Sequence, residues 1–560
     1  MAGNNNFEGT KRVETVYATT RMLDTNGAVW HGPRFPMDTE ARYAYYSRMG
    51  GFVPVETAMD TIFTNPIHYG AGGFEGIRMY RTMYGDGFVE LSHNLARFIY
   101  SSLAFNMSLV RDTMTLFENP NIDYIEHLQR TPREFFADSI KRLVNDEPVQ
   151  MTVTAVQKDG TKKQIVIPFE LKVRVNAKER VFTIREMEAT ICSIALLNKL
   201  VRGGPFPDST LGLIEGAYFR PVFWVSGEEG LKIPTLIKKD GKLVDKPLYF
   251  GVGTLPWGLY LSDEGYKRGL DLLLAPLPRI DSAMPVRQKI SGNYVNSARN
   301  VNLAAILGFG EVLVLNHRKE IVEGSAENLI FLFTEKKTCK LRAYCPPLSS
   351  DILAGTTRDR VLRLLEKGIE VSGQKVELVM EAPTRDEVFD ALQGKGAMEL
   401  SAIVLVGTGV GVIHGRTLTQ NDQLRDWLEV NELRSENEPL QPLILRRIEE
   451  TAITYEINNG EKHLFVDALQ MAYDAFAHEE NGSRITPAYA MDYGAAERIF
   501  GIELSEVASR EFRTKVDGGY FHERINGIRQ PNEVMAKYRE AARVITKMNE
   551  KSMEKRRLRL

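Results

Sequence analysis

RQKISGNYVNSARN, residues 287–300, sets a single lysine, Lys289, ahead of a Gly-Asn-Tyr turn and the helix-patterned run VNSARNVNLAAILG. Lysine is rarely buried, so the ordinary reading is a surface side chain. A lysine becomes a nucleophile when it is desolvated or set near other positive charge, so that its neutral form is populated. The rest of the chain must then supply an anion site and a carboxylate for that amine to work with.

Candidates for both exist. ILAGTTRDRV ends a loop at Gly355 and opens a helix at Thr356 and Thr357; unpaired N–H groups and the helix dipole make such a start an anion site, although a plain cap has the same spelling. LVGTGVGVIHG carries glycines at 407, 409 and 411 around Thr408, a turn in which backbone can approach an anion closely. IVEGSAENL offers Glu323 at a strand end. Neither glycine stretch fits GxGxxG or a P-loop, and each signal alone is ordinary.

The bulk properties narrow the class. A chain of 560 residues is expected to hold about two to four domains. Hydrophobic residues at 43% and charged residues at 26% describe a soluble globular protein. Seventy-one basic against 73 acidic residues, a net charge of -2, leave no electrostatic footprint for nucleic acid. Cys192, Cys339 and Cys345 are odd in number and widely spaced, which implies no disulfide framework and a reducing compartment. No apolar leader and no membrane-length run is visible. Cytoplasm is the expected location, with no membrane partner and no metal site.

Along the chain, ELSHNLARFIYSSLAF and TIREMEATICSIALLNKL have helical spacing, the latter with Met187, Ile191, Ile194 and Leu197 on one face. Two β-rich runs flank Asp159-Gly160 and predict a hairpin. EVLVLNHRKEIVEGSAENLIFLF reads as two strands joined by a polar turn, and TTRDRVLRLLEKGIEV as a helix ending at Gly368. Residues 462–560 read as mostly helical, and no repeat is found.

HYGAGGFEGIRMY (68–80), HNLAR (93–97), AYFRP (217–221), LPWGLYL (255–261), KISGNY, EGSAENL, CPPLSSDILAGTTRD and GTG occur in this order. In that order and spacing the chain resembles the branched-chain amino acid aminotransferases, within the class IV pyridoxal-phosphate aminotransferases, over residues 25–110 and 185–461. The resemblance implies an α/β (α+β) two-domain fold: a small N-terminal α/β domain at 1–225 with an insertion at 110–185, a large β-rich cofactor domain at 240–461, and an extension at 462–560. Loops as long as this insertion of roughly eighty residues usually have a function or structure of their own, and the sequence does not choose between an oligomer contact, a lid and a regulatory surface.

The same resemblance implies pyridoxal 5'-phosphate, carried by Lys289 as an internal aldimine, with Lys289 also shuttling the proton between substrate and cofactor. Glu323 would pair with the pyridine nitrogen and Tyr294 with the ring hydroxyl. Arg97 would clamp the phosphate bidentately, with Leu353, Thr356, Thr357 and Thr408 completing the cofactor site. Tyr69, Phe74, Arg78, Tyr218, Arg220, Tyr260 and Gly409 would form the substrate pocket, Arg220 on a loop donated by a second subunit. The reaction implied is transfer of the amino group from Leu, Ile or Val to 2-oxoglutarate in a homodimer or larger assembly. The chain's partners would be small amino and 2-oxo acids.

Departures fall on the substrate side. Ala71-Gly72-Gly73 replaces the family's Thr-Ser-Val and predicts a roomier, more flexible loop; Lys232 stands near a usual glycine, CPP replaces TPP, and GTG replaces GTA. A D-amino acid or (R)-amine transaminase or an aminodeoxychorismate lyase would share Lys289 and Glu323. A scaffold with a retained transaminase core would keep the motifs without turnover.

Overall fold

The computed structural model describes residues 43–49, 51–54, 64–82, 85–105, 150–156, 162–168, 170–175, 178–197, 216–228, 233, 235–257, 267–279, 286–421, 424, 451–478 and 485–487. Two large sheets organise them. In the first, the ten-residue strands Gly216–Val225 and Leu248–Trp257 pair antiparallel along their whole length, from Gly216↔Trp257 to Val225↔Leu248. Alternation along these strands sends Phe219, Phe223 and Phe250 inward. The rings of Phe98, Phe182, Phe223 and Phe250 meet at 5.2 to 5.8 Å in edge and tilted contacts.

Helices Leu91–Ser102 and Ile184–Leu197 close this core. Met187, Ile191 and Ile194 lie buried on one face, as their spacing predicts; the side chain of Leu197 lies outside the described residues. The β-hairpin is formed by Gln150–Val156 and Lys162–Pro168, in register at Val156↔Lys162, with Asp159-Gly160 outside the described residues. A second hairpin, Leu171–Val175 with Lys178–Phe182, contributes Leu171, Val173 and Phe182 to the first core.

The second sheet has nine strands. The stretch read as two strands forms three, Glu311–Leu315, Ile321–Glu323 and Asn328–Glu335, because the chain reverses twice, first where Lys319 adopts φ 61° and again after Gly324. The short middle strand is what fixes Glu323. Helix Thr356–Lys367 packs Val361, Leu362 and Leu365 onto this sheet and stops at Gly368, φ 100°. Helix Leu464–His478, read from sequence as part of the extension, buries Phe465, Val466, Leu469 and Tyr473 in the same core. Ile485–Pro487 then pairs with Gly85–Val89 of the first sheet.

Two features tie the halves together. Glu90 is a buried carboxylate at φ 52°. It takes Arg360 Nε at 3.2 Å and Arg363 Nη2 at 2.5 Å, both from helix Thr356–Lys367, with His93 Nδ1 at 3.6 Å. Arg360 also donates to the Val89 carbonyl (2.7 Å) and to the Tyr473 hydroxyl (3.3 Å). Burial raises the Glu90 pKa, but His93, Arg360 and Arg363 together outweigh it and hold it well below the usual carboxylate range.

The second feature is the loop at 286–293. Lys289 N–H donates to Ser101 Oγ (2.8 Å), the Lys289 carbonyl accepts from Phe74 N–H (3.1 Å), and Gln288 Nε2 donates to the Tyr100 carbonyl (3.1 Å). The glycines expected to loosen this region do the opposite. Gly72–Phe74 is a strand paired with Val222–Trp224. A Cβ on Gly73 would stand 2.4 Å from Phe223 Cζ and 2.9 Å from the Lys289 carbonyl oxygen. Glycine is required here by close approach.

Glu90→Gln removes one partner of a buried ion cluster and is expected to cost about 3–5 kcal/mol, read from urea denaturation at pH 7. A depressed folded pKa gives stability that is present above the unfolded pKa and lost as pH falls. The variant should therefore lose less stability than the parent as pH falls from about 5 to about 2. Gly73→Ala overpacks a tight contact and is expected to cost about 1–3 kcal/mol in the same assay; an unchanged midpoint would show that the loop has room.

Candidate active site

A cavity of about 260 Å³ opens between the two sheets. The first half contributes Phe74, Gly76, Arg97, Tyr218 and Arg220; the second contributes Lys289, Tyr294, residues 326–328, Leu353, residues 355–357 and residues 406–409. The ordered motifs thus come together around one space. Gly76 is small because a Cβ there would stand 2.2 Å from the Tyr218 hydroxyl.

Lys289 Nζ donates to the Tyr294 hydroxyl at 2.7 Å and lies 5.0 Å from the ring centroids of both Phe74 and Tyr294. Those two rings are 4.9 Å apart. The amine therefore sits between aromatic faces on a backbone pinned to the first half, and no ion pair joins it to a carboxylate among the described residues.

Across the cavity lies an anion cradle. Helix Thr356–Lys367 starts at Gly355 without a side-chain cap. A Cβ on Gly355 would meet Asn328 Oδ1. The Thr357 Oγ1 is buried with no hydrogen-bond partner, a group that needs a ligand to be satisfied. Arg97 reaches the same wall, its Nη1 donating to the Ala354 carbonyl at 2.9 Å. The bidentate clamp expected of Arg97 is used on Glu75, with Nε on Oε1 at 2.5 Å and Nη2 on Oε2 at 2.7 Å. Burial works against the guanidinium charge, and Glu75 more than offsets it, raising the Arg97 pKa. Thr408 lines the cavity from the tight turn between strands Met398–Gly407 and Gly411–Gln420.

Glu323 stands one layer behind. Its Oε1 accepts from Asn328 Nδ2 (2.9 Å) and Leu353 N–H (2.8 Å), residues that line the cavity, and its Oε2 pairs with Arg279. The carboxyl that does line the cavity is Glu327. Sequence reasoning left Glu75, Glu327 and Arg279 unassigned. The first two were in view within FEGIR and EGSAENL, but nothing in a linear pattern says which of two nearby glutamates faces inward.

The substrate-side residues divide. The guanidinium of Arg220 lies 4.6 Å from the Phe74 ring centroid and 5.0 Å from that of Tyr218. Arg220 belongs to strand Gly216–Val225, opposite Gly253, and lines the cavity of its own chain. This corrects its expected place on a loop from a second subunit. Burial pushes the Tyr218 hydroxyl up to about 12. Arg78 is buried, donates to the Gly409 carbonyl at 3.4 Å and stacks 5.3 Å over Tyr80. Tyr69, expected in the pocket, ends a short helix, is 44% exposed and does not line the cavity. Tyr260 and Lys232 lie outside the described residues.

Among the described residues, no cluster of His, Cys, Asp and Glu could hold a metal ion, and no helix is long and apolar enough to cross a membrane.

Residues 235–412 match the family model of amino-transferase class IV. The branched-chain-amino-acid aminotransferase of Escherichia coli (strain K12) is 31% identical over 163 residues, covering 29% of this chain and 48% of that protein. The probable branched-chain-amino-acid aminotransferase of Aquifex aeolicus (strain VF5) is 29% identical over 177 residues, 31% of this chain and 51% of that one. The chain spans about half the length of the curated relatives it matches. A solved structure of the branched-chain amino acid aminotransferase from Escherichia coli superimposes with a TM-score of 0.47 at 16% identity, over 80% of this chain and 99% of that one. The family match and the curated relatives together make residues 235–412 similar to class IV aminotransferases, branched-chain aminotransferases among them.

Proposed function

We propose that this protein is a pyridoxal-phosphate-dependent transaminase that moves an amino group between a branched-chain L-amino acid (Leu, Ile or Val) and 2-oxoglutarate. The observation that carries the reading is the Lys289 amine, held on Tyr294, facing an unsatisfied anion cradle across one cavity. The cradle suits a phosphate: an uncapped helix start, the orphan hydroxyl of Thr357, the Thr356 backbone and the nearby charge of Arg97. When bound, pyridoxal phosphate supplies an electron sink for the pair of electrons left on the substrate α-carbon as its proton departs.

The chain's own groups do the rest. Lys289 Nζ would hold the cofactor, and its free amine is the general base placed to take the proton from the substrate α-carbon. Tyr294 OH accepts from Nζ and orients it. Arg97 is held in place by Glu75, which fixes its Nη1 donor, now on the Ala354 carbonyl, at the phosphate end. Glu323, paired with Arg279 and held on Asn328 Nδ2 and Leu353 N–H, is preorganised as a carboxylate behind the ring-side wall. Thr408 closes the cradle.

Substrate duality follows from Arg220. Its guanidinium lies over the rings of Phe74 and Tyr218, which also present apolar surface to an aliphatic side chain. The guanidinium can meet the distal carboxylate of glutamate or 2-oxoglutarate. Arg78, anchored at the Gly409 carbonyl, and the 407–409 turn stand at the end suited to the α-carboxylate. A homodimer or larger assembly in the cytoplasm belongs to the same proposal, and mass measurement in solution tests the assembly.

Half-transamination checks the reading. The purified chain loaded with pyridoxal phosphate should be yellow, and L-leucine and L-glutamate, added separately, should each convert its spectrum to that of the amine form. Conversion by D-alanine alone would place the chain with a different class IV chemistry, and a colourless protein that takes up no cofactor would favour the scaffold. Lys289→Ala should fold with an unchanged unfolding midpoint and lose at least about 10⁴-fold in turnover, as expected when both nucleophile and base are removed. Appreciable activity in that variant would contradict the assignment.

A further inference from the structure

Glu327 lines this cavity with Glu311 behind it, a buried acid pair that the function proposed above does not use. Glu311 opens the strand Glu311–Leu315; Glu327 immediately precedes Asn328–Glu335. Each is 8% exposed, and the two carboxyls meet at one turn, taking hydrogen bonds from its consecutive residues, Glu311 from Ser325 and Glu327 from Ala326. No cation pairs with either among the described residues. Two carboxylates in such contact cannot both ionise.

Their donors decide which one carries charge. Glu311 Oε1 accepts from Val312 N–H (2.6 Å) and Ser325 N–H (3.2 Å), and its Oε2 from Ser325 Oγ (2.9 Å). Glu327 receives one backbone donor, Ala326 N–H on Oε2 at 3.1 Å. Three donors favour the anion at Glu311, and the proton falls to Glu327. Glycines at 324 and 407 make the space: a Cβ there would stand 3.1 Å from Glu327 Oε2 and 3.3 Å from its Cγ.

We propose that Glu311 and Glu327 share one proton, resident on Glu327, and that this pair keeps the Lys289 amine without a carboxylate counter-ion. The inference rests on Lys289 being the nucleophile. An ionised carboxylate on the cavity wall would favour the ammonium form of a neighbouring amine and remove the lone pair needed for attack. Burial and the Glu311 charge push Glu327 up to about 8, while the Lys289 charge works in the opposite sense. The other charged or titratable groups on the cavity are Tyr294, Arg97, Arg220 and Tyr218, with the Glu323–Arg279 and Glu75–Arg97 pairs at its walls. Both pairs are internally neutral, so after burial Glu311 is the charge that sets the proton on Glu327. Glu327 is a positioning residue by this account: it acts through Lys289.

The test uses the full chain and two readouts. In infrared difference spectra of the unloaded protein, a protonated-carboxyl C=O stretch should be present at pH 7, titrate near pH 8, and vanish in Glu327→Gln. The second readout is the rate at which Lys289 captures pyridoxal, which lacks the phosphate, trapped with borohydride and assigned by peptide mass. Glu311→Gln releases the proton from Glu327 and should slow this capture about tenfold at pH 7, the equivalent of one unit of differential protonation. Its pH profile should move to higher pH. Adding Glu327→Gln to Glu311→Gln should recover most of the lost rate, which a merely structural role would not do. Absence of the band in the parent protein, or an unaltered capture rate in Glu311→Gln, overturns the proposal. A chain that shows both effects yet moves no amino group between leucine and glutamate overturns the transaminase reading and leaves the acid pair standing.

Discussion

The buried carboxylate of Glu90 governs how the two halves of the molecule meet. It lies in the first half, at the start of helix Leu91–Ser102, yet both arginines that neutralise it come from helix Thr356–Lys367 of the second. A buried charge cannot be left unpaired without a cost of several kcal/mol, so the contact fixes the position of one helix against the other. The consequence lies within two turns along each helix. Arg97 on the first and Thr356 and Thr357 on the second are brought to the same cavity wall, where Arg97 reaches the Ala354 carbonyl. The anion cradle is a product of this docking, since neither helix holds enough of it alone.

Lys289 is subject to the same logic from the other side. It belongs to the second half by chain order, but its N–H and C=O are both bonded to the first half, at Ser101 and Phe74. Sliding between the halves would have to break both bonds before it could carry the amine away from Phe74, Tyr218 and Arg220. Glycines at 72 and 73 are the sterics of this arrangement. Their side-chain space is already taken by Phe223 and the Lys289 carbonyl, so small residues there bring the lysine loop close to the sheet.

Much of this was legible in the sequence, for identifiable reasons. Helices with a clear apolar face, such as the one bearing Met187, Ile191 and Ile194, follow from spacing alone, as does the Gly368 stop. The order of motifs pointed to Lys289, Tyr294, Arg97, Thr357, Thr408, Phe74, Tyr218 and Arg220, and all line one cavity. What was not legible depends on direction in space. The strand Ile321–Glu323 is only three residues long, too short for periodicity to declare. Glu323 and Glu327 are separated by a reversal, so a pattern that names both cannot say that the first faces Arg279 and the second the cavity. Tyr69 sits in a motif whose neighbours turn inward, while the left-handed Gly70 that follows it leaves its own ring outside. The burial of Phe465 and Tyr473 in the second core depends on a partner helix about one hundred residues earlier, which no local window contains.

The charges around the cavity explain why the acid pair matters to the chemistry beyond its own proton. Arg97 is neutralised by Glu75 and Glu323 by Arg279, both through short contacts inside the walls. These pairs leave little net field, so the balance at Lys289 is set by what remains: Arg220 on the substrate side and Glu327 on the floor. A cation at 220 near the aromatic faces disfavours a second positive charge close by, and a neutral acid at 327 declines to compensate one. Glu327 and Arg220 line the same cavity, where charge interactions are screened less than in bulk water. The glycines at 324 and 407 admit a glutamate to this position, and Glu311 with its three donors decides the state in which that glutamate rests. Arg220 beside the aromatic rings and the acid at the 324–327 turn are thus the charged groups of this cavity that stand outside its neutral pairs.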